Sequence, residues 1–177
     1  MLTSRQLTSA AVFGGLGFAA SVLGLNISII PPLILDLGSV FWILGVAGSG
    51  PIGAVIVGLL MGLPSAFPLA TATHVVIYGL VFCMLYKRIY AMKGVIRYVT
   101  LAIWAMVSVF VGDLALMVVS TYIYHIYPDL MTGAIIYTTA LSWTRSIAAA
   151  LSIVLLVRYA PEYAEPTWSW GRTKSSK

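Results

Sequence analysis

The sequence predicts an all-α membrane protein, a bundle of six transmembrane helices with both termini in the cytoplasm. Of its 177 residues, 60% are hydrophobic and only 8% charged, and the mean hydropathy is +1.00. A soluble domain needs more polar residues than this to cover its surface. Apolar runs of membrane-spanning length recur along the chain, and nine of the ten Lys and Arg residues lie outside them. The chain is therefore predicted to be an integral membrane protein throughout.

Four apolar runs meet or approach the roughly 20 residues that a membrane helix needs. They are Leu7–Leu25, Ala70–Tyr86, Tyr98–Tyr124 and Gly133–Val157. These runs predict four of the six spans.

The remaining two spans are predicted within Leu33–Leu63, whose middle is interrupted by Gly48-Ser49-Gly50-Pro51. Glycines permit a tight turn, and proline suits the first position of a following helix. We therefore expect two short helices joined by a cytoplasmic Gly-Pro turn. Each would be roughly 20–24 Å long, which is less than the ~30 Å hydrocarbon core. The adjoining outer segments, Asn26–Asp36 and Leu63–Leu69, are consequently expected to dip into the protein.

The basic residues decide between five and six spans, because Lys and Arg in short loops stay on the cytoplasmic side. Two basic clusters are separated by two predicted helices. The first cluster is Lys87, Arg88, Lys93 and Arg97, and the second is Arg158, Arg172, Lys174 and Lys177. With Arg5 also inside, an even number of spans must precede Lys87. Residues 1–160 are thus predicted to form the transmembrane domain. Residues 161–177 are predicted to form a basic cytoplasmic or interfacial tail, with Trp168 and Trp170 as anchors.

Two charged residues, Asp113 and Arg145, fall inside predicted spans. Each costs about 2.5–3.5 kcal/mol at the bilayer centre, so both are expected to face protein or water. They lie roughly 15 and 18 Å below the outer ends of their helices, close enough to pair if those helices are neighbours. They form either the floor of a substrate site or an ion pair that fixes packing. Ser120 and Thr138 lie seven residues away on the same helical faces and are further candidates.

A third polar face is predicted on the fourth span, where Thr71, His74 and Tyr78 follow i, i+3, i+7 spacing. His74 either contacts substrate or forms a hydrogen bond between helices. Only one other histidine exists in the chain, so no metal site is predicted. Asn26 and Asp36 bracket the first outer loop and are either substrate contacts or ordinary loop and cap residues.

Small residues form a stripe on the first span, where Ala11, Gly15 and Ala19 recur every four residues with Gly14 beside them. Such a stripe allows another helix to approach closely. It is either a docking surface for a partner or a packing surface within the bundle.

Several functional classes lack their sequence signals. The chain has no nucleotide-binding loop of the G-x-x-x-x-G-K-[ST] type, no H-E-x-x-H and no G-x-S-x-G. No enzymatic activity, catalytic residue or cofactor is therefore predicted. The basic residues lie at the ends of apolar segments and form no continuous patch, so nucleic-acid binding is not expected.

The stretch PPLILDLGSVFWILGVAGSGPIGAVIVGLL resembles the S-components of energy-coupling factor (ECF) transporters. That family has an acidic residue opening the second helix, then a Gly-Pro turn and a glycine-rich third helix. The matching positions are Asp36, Gly50, Pro51, Gly53 and Gly58. The first helix is similar to the family's Ala-x-x-x-Ala docking motif through Ala11, Gly15 and Ala19, with glycine at the middle position.

The resemblance implies the substrate-binding subunit of an importer in a prokaryotic plasma membrane. It implies a vitamin or related small molecule held under the first outer loop by helices four to six. Its implied partners are a membrane coupling subunit and two cytoplasmic ATPase subunits. The metal-transporting members typically have a histidine close to the N-terminus, which is missing here, so cobalt and nickel are disfavoured.

Two other functions remain open from the residues. One is a gradient-driven secondary transporter that uses Asp113 or His74 as a proton site, although no similarity between the two halves of the chain favours it. The other is a structural membrane scaffold. Arg145 favours a substrate with an anionic group such as a carboxylate, unless Asp113 neutralises it.

Overall fold

The computed structural model describes residues 3–30, 33–140 and 142–168, with the backbone alone for residues 26–30, 33–37, 136–140 and 142. In chain order the elements are α1 (Ser4–Val22), β1 (Asn26–Ile30), β2 (Leu33–Asp36), α2 (Leu37–Gly62), α3 (Pro68–Tyr90), α4 (Gly94–Tyr122), α5 (Leu130–Ala140), α6 (Ser142–Tyr159) and α7 (Pro161–Ala164). The predicted helical architecture is therefore confirmed for this part of the chain, apart from one short β-hairpin.

Three helices in the described residues are long and apolar enough to cross a membrane. They comprise Gly38–Gly62, Pro68–Tyr90 and Gly94–Tyr122. Large aliphatic side chains cover the outer surface, and those of Leu59, Ile103 and Leu151 are more than half exposed. Such a surface is suited to lipid, and the protein is accordingly membrane-embedded. The count of six spans stays a prediction.

Helix α2 is broken at Gly50, which has φ 73° and ψ −158° and is followed by Pro51. In a straight helix, Gly45 and Val57 would lie about 18 Å apart. A Cβ added to Gly45 would instead lie 3.1 Å from Val57 Cγ2. The two halves of α2 therefore lie side by side, and the chain reverses at Gly50. That each half forms a membrane span of its own stays a prediction.

Helix α1 begins with a capping box, in which Thr3 and Gln6 exchange side-chain and backbone hydrogen bonds. One face of α1 packs closely on α2. A Cβ added to Gly14 would lie 2.9 Å from Leu60 Cδ1, whereas a Cβ added to Gly15 would meet no atom within 4 Å. Gly14 thus belongs to the packing surface within the chain.

The remaining small residues of the predicted docking stripe, Ala11, Gly15 and Ala19, all lie on the exposed side of α1. The stripe is therefore divided between two faces of the helix. Its outer part is available to lipid or to another helix, and the docking role itself stays a prediction.

The hairpin between α1 and α2 pairs β1 and β2 antiparallel, with Asn26 opposite Asp36 and an irregular register between Ser28 and Ile30. Strand β2 lies against α6. Pairing of the strands supplies hydrogen-bond partners for backbone N–H and C=O groups. Such groups must have partners wherever a non-helical segment lies close to the membrane interior.

The segment after α6 folds back onto the break in α2. The Tyr86 hydroxyl donates to the Ala164 carbonyl oxygen at 2.6 Å. A Cβ added to Gly50 would overlap the Trp168 indole, and Lys87 Nζ lies 5.0 Å from the centroid of that ring. Trp168 was expected at the membrane interface but is only 5% exposed, because it covers the Gly50 turn. Trp170 and the basic residues of the tail lie outside the described residues.

Candidate functional site

A cavity of about 290 Å³ opens at the end of the bundle that carries the loops after α2 and α4. Its polar wall residues are Ser65, Thr71, His74, Ser120 and Arg145. Its aromatic wall residues are Trp42, Phe67 and Tyr127. The wall therefore combines flat apolar surface with a few polar groups, which is typical of small-molecule sites.

A buried carboxylate lies directly beneath the cavity wall, at a position that we call the floor, and two side chains of the wall share it. Asp113 on α4 has no exposed surface. His74 Nδ1 on α3 lies 3.1 Å from Asp113 Oδ1, and the Arg145 guanidinium on α6 lies 3.5 Å from the same oxygen. The histidine contact has the distance of an ion pair but not the angle of a hydrogen bond, so we treat it as a close electrostatic contact. Three helices thus meet at one charge.

Gly112 explains how α4 comes close enough to α3 for this contact. A Cβ added there would lie 2.7 Å from Tyr78 Cβ and 2.8 Å from the His74 carbonyl oxygen. The carbonyl oxygen belongs to the backbone and Tyr78 Cβ is bonded directly to it, so neither atom can move aside by rotation of a side chain. The missing side chain therefore allows Asp113, the next residue, to reach His74.

Aromatic rings hold the His74 imidazole on two sides. The Trp42 ring meets it edge to face with centroids 5.3 Å apart, and the Tyr78 ring stacks below with centroids 6.3 Å apart. The Arg145 guanidinium carbon lies 6.0 Å from the Trp42 ring centroid, within the range of a cation–π contact. The three side chains that face the cavity, Trp42, His74 and Arg145, therefore form one compact group.

The cavity rim is tied together by hydrogen bonds between elements. The hydroxyls of Ser65 and Thr71 lie 2.7 Å apart, and the Leu69 backbone N–H donates to the Tyr124 hydroxyl at 3.1 Å. The Phe67 and Tyr124 rings meet edge to face. The loop after α2 is thus fixed to the end of α4.

The structure brings together most of the candidate residues for which it describes side chains. Four of them line the cavity: Thr71, His74, Ser120 and Arg145. Asp113 and Tyr78 lie beneath this wall and are fully buried. The side chains of Asn26, Asp36 and Thr138 lie outside the described residues, and only their backbone positions in β1, β2 and α5 are known.

The sequence reasoning missed the aromatic wall residues Trp42, Phe67 and Tyr127. An aromatic residue in an apolar run has no pattern that separates a cavity wall from a packed core. The only signal for Phe67 was its place in an outer segment that was expected to dip into the protein.

A second cavity, of about 240 Å³, lies between α4 and α6. Its wall is formed by Met106, Val107, Phe110, Trp143 and Ser146, and it is almost wholly apolar. It offers no charged group to a polar ligand. In the described part of the chain, no group of three or more His, Cys, Asp or Glu side chains is placed to hold a metal ion.

Comparison of the chain with family models, curated proteins and solved structures returned no match.

Proposed function

We propose that this chain captures a small organic molecule in the cavity above Asp113, as the substrate-binding subunit of an ECF-type importer. One observation carries the proposal: a cavity of about 290 Å³ whose floor holds the buried Asp113 with His74 and Arg145. This volume lies near the lower end of the roughly 300–1,000 Å³ range of ligand sites. Buried charges beneath a polar cavity in a membrane protein are typical of substrate sites. A vitamin or related compound is the proposed substrate class.

The proposed topology has six spans, cytoplasmic termini and a cavity that opens outward, in a prokaryotic plasma membrane. The side-by-side halves of α2 support it, because two crossings there leave Lys87 and Arg97 on the same side as Arg5. The cavity then lies at the opposite end from these basic residues.

The proposed partners are a membrane coupling subunit and two cytoplasmic ATPase subunits, with lipid around the remaining surface. The exposed face of α1 supports this proposal, because Gly15 leaves space for a crossing helix. Gly15→Leu is expected to abolish copurification with the coupling subunit and to spare ligand binding. Gly14→Leu is the matched control, since it places the same side chain against Leu60 and disrupts the bundle itself. A Gly15→Leu variant that still copurifies with the partner would contradict the docking role.

The proposed binding function is tested by identifying the bound molecule. The chain is purified from cells grown in rich medium, and small molecules are extracted and identified by mass spectrometry. Arg145→Gln is expected to lose the extracted molecule, because removing a partner from a buried charge costs roughly 2–5 kcal/mol. The control is Arg158→Gln, since Arg158 is exposed and its loss costs about 0–1 kcal/mol. Equal retention in two folded variants would contradict the assignment of the cavity.

A second candidate function, a gradient-driven transporter for a small organic solute, is favoured by the close contact of His74 with Asp113. A buried imidazole beside a carboxylate is a common arrangement for proton transfer. This function requires proton-coupled uptake into liposomes by the chain alone, abolished in Asp113→Asn. Uptake that depends on added ATPase subunits would instead select the first proposal.

A further inference from the structure

Of the buried nitrogens in Trp42 and His74, His74 Nδ1 lies 3.1 Å from Asp113 Oδ1, whereas Trp42 Nε1 and His74 Nε2 have no hydrogen-bond partner among the described residues. Trp42 is 5% exposed and His74 is 1% exposed. Buried polar groups in folded proteins are nearly always hydrogen-bonded, and leaving one unpaired is costly. Both residues line the same cavity. The molecule that fills the cavity is therefore the natural partner of both nitrogens.

The two nitrogens require opposite chemistry from that molecule. An indole N–H only donates, so Trp42 needs an acceptor. In a neutral imidazole, the nitrogen that faces a carboxylate keeps the proton, and the other nitrogen accepts. We assign the proton to His74 Nδ1 because this nitrogen lies 3.1 Å from Asp113 Oδ1, and this assignment leaves Nε2 as an acceptor that needs an N–H or O–H donor.

Arg145 also restricts the charge that the ligand can carry. Its side chain is 18% exposed and lines the cavity, and its guanidinium carbon lies 6.0 Å from the Trp42 ring centroid, so the guanidinium and the indole lie close together in the cavity wall. A planar carboxylate matches the guanidinium fork. Among the described residues at the cavity, Asp113 and Arg145 already cancel in charge. A ligand with a lone negative charge would leave this group net negative, whereas a zwitterion would keep it neutral.

We propose that the ligand is a small zwitterionic amino-carboxylate with a flat ring. This proposal rests on the proposed binding function and specifies its substrate class. The carboxylate pairs with Arg145 and accepts the Trp42 indole N–H. The ammonium group donates to His74 Nε2. The ring lies against the aromatic wall that includes Phe67 and Tyr127.

The test uses the full chain in lipid nanodiscs and two matched sets of probes, with affinity measured by calorimetry. The first set is phenylalanine, 3-phenylpropionate without the amine, and phenethylamine without the carboxylate. The second set is tryptophan, indole-3-propionate and tryptamine. At least one zwitterion is expected to bind tighter than both of its analogues by roughly tenfold or more, because each analogue lacks a hydrogen bond that involves a charged group.

Matched variants separate the proposed contacts from general packing. Trp42→Phe removes the N–H donor and is expected to weaken zwitterion binding about tenfold. Trp168→Phe is the control, because Trp168 is equally buried and its Nε1 also has no partner, but it lies against Gly50 at the other end of the bundle. Arg145→Lys keeps the charge but loses the fork, and it should weaken the zwitterion more than phenethylamine or tryptamine. Thermal unfolding of each variant verifies that it is folded.

Three results would overturn the proposal of a zwitterionic ligand. They are equal or tighter binding of the deaminated acids, no binding of either zwitterion, and equal effects of Trp42→Phe and Trp168→Phe. If the molecule extracted from the purified chain is uncharged, this substrate class fails while the binding function stands. If no small molecule is extracted and no probe binds, both proposals fail.

Discussion

Gly112→Ala tests whether close approach of α4 to α3 creates the floor of the cavity. The added methyl group would lie 2.7–2.8 Å from Tyr78 Cβ and the His74 carbonyl oxygen, where ordinary contact begins at 3.4 Å. Because both atoms are fixed to the backbone, the helices must part by about 0.6 Å or bend. The contact between His74 and Asp113, now 3.1 Å, would lengthen accordingly.

The energetic cost is obtained by comparison with a control substitution. Overpacking of this kind costs typically about 1–3 kcal/mol. Replacing glycine by alanine within a helix also gains about 0.5–1 kcal/mol, which would partly mask the cost. Gly15→Ala receives the same gain but meets no atom within 4 Å. The difference in unfolding free energy between the two variants therefore isolates the overpacking cost.

Denaturant unfolding in detergent micelles measures that difference, and ligand affinity is measured on the same samples. Gly112→Ala is expected to be the less stable variant by about 1–3 kcal/mol and to bind ligand more weakly. Gly15→Ala is expected to match or exceed the parent in stability with unchanged affinity. If the two alanine variants are equally stable and bind equally well, the close approach at Gly112 does not position the cavity floor.

Three further predictions concern the start of α5, the topology and the contact between Tyr86 and Ala164. Hydrogen bonds from Thr132 lower the pKa of Asp129. The ionised carboxylate therefore stabilises the start of α5 at pH values above its unfolded pKa, and this stabilisation is lost as the pH falls through the lowered folded pKa. Hydrogen exchange at the Thr132 amide should show this acid dependence, and Asp129→Ala should remove it. In a cysteine-free background, a membrane-impermeant thiol reagent should label Asp129→Cys from outside and Lys93→Cys only from inside, and the reverse pattern would refute the topology. Tyr86→Phe should lower stability by about 1 kcal/mol through loss of the bond to Ala164 without changing ligand affinity, and an equal affinity loss would contradict the separation of the two ends.

The helical architecture was predictable because lipid imposes long apolar runs on the sequence. The break at Gly50 was also predictable, since Gly and Pro are the local determinants of a helix break. The hairpin of β1 and β2 was not predicted. Its stability depends on pairing between two short strands and on contact with α6, far along the chain, and neither is visible in a local pattern.

The charged residues at the cavity were also predictable from the properties of the lipid bilayer. Asp113 and Arg145 are conspicuous because ionised residues in a span are costly, and their similar depths indicated that they could meet. The structure adds His74 as the third member of the group. Trp42 could not be assigned, because its role depends on which side of α2 faces the cavity. The division of the small residues of α1 into Gly14 inside and Gly15 outside likewise required the tertiary packing.

The contact between Trp168 and Gly50 also has a consequence for biosynthesis. Gly50 emerges from the ribosome well over a hundred residues before the indole that covers it. The turn in α2 must therefore remain uncovered while α3 to α6 are synthesised, and it is covered only when the segment after α6 has been made. A ribosome that stalls within α6 would leave a nascent chain in which the Gly50 turn is still uncovered.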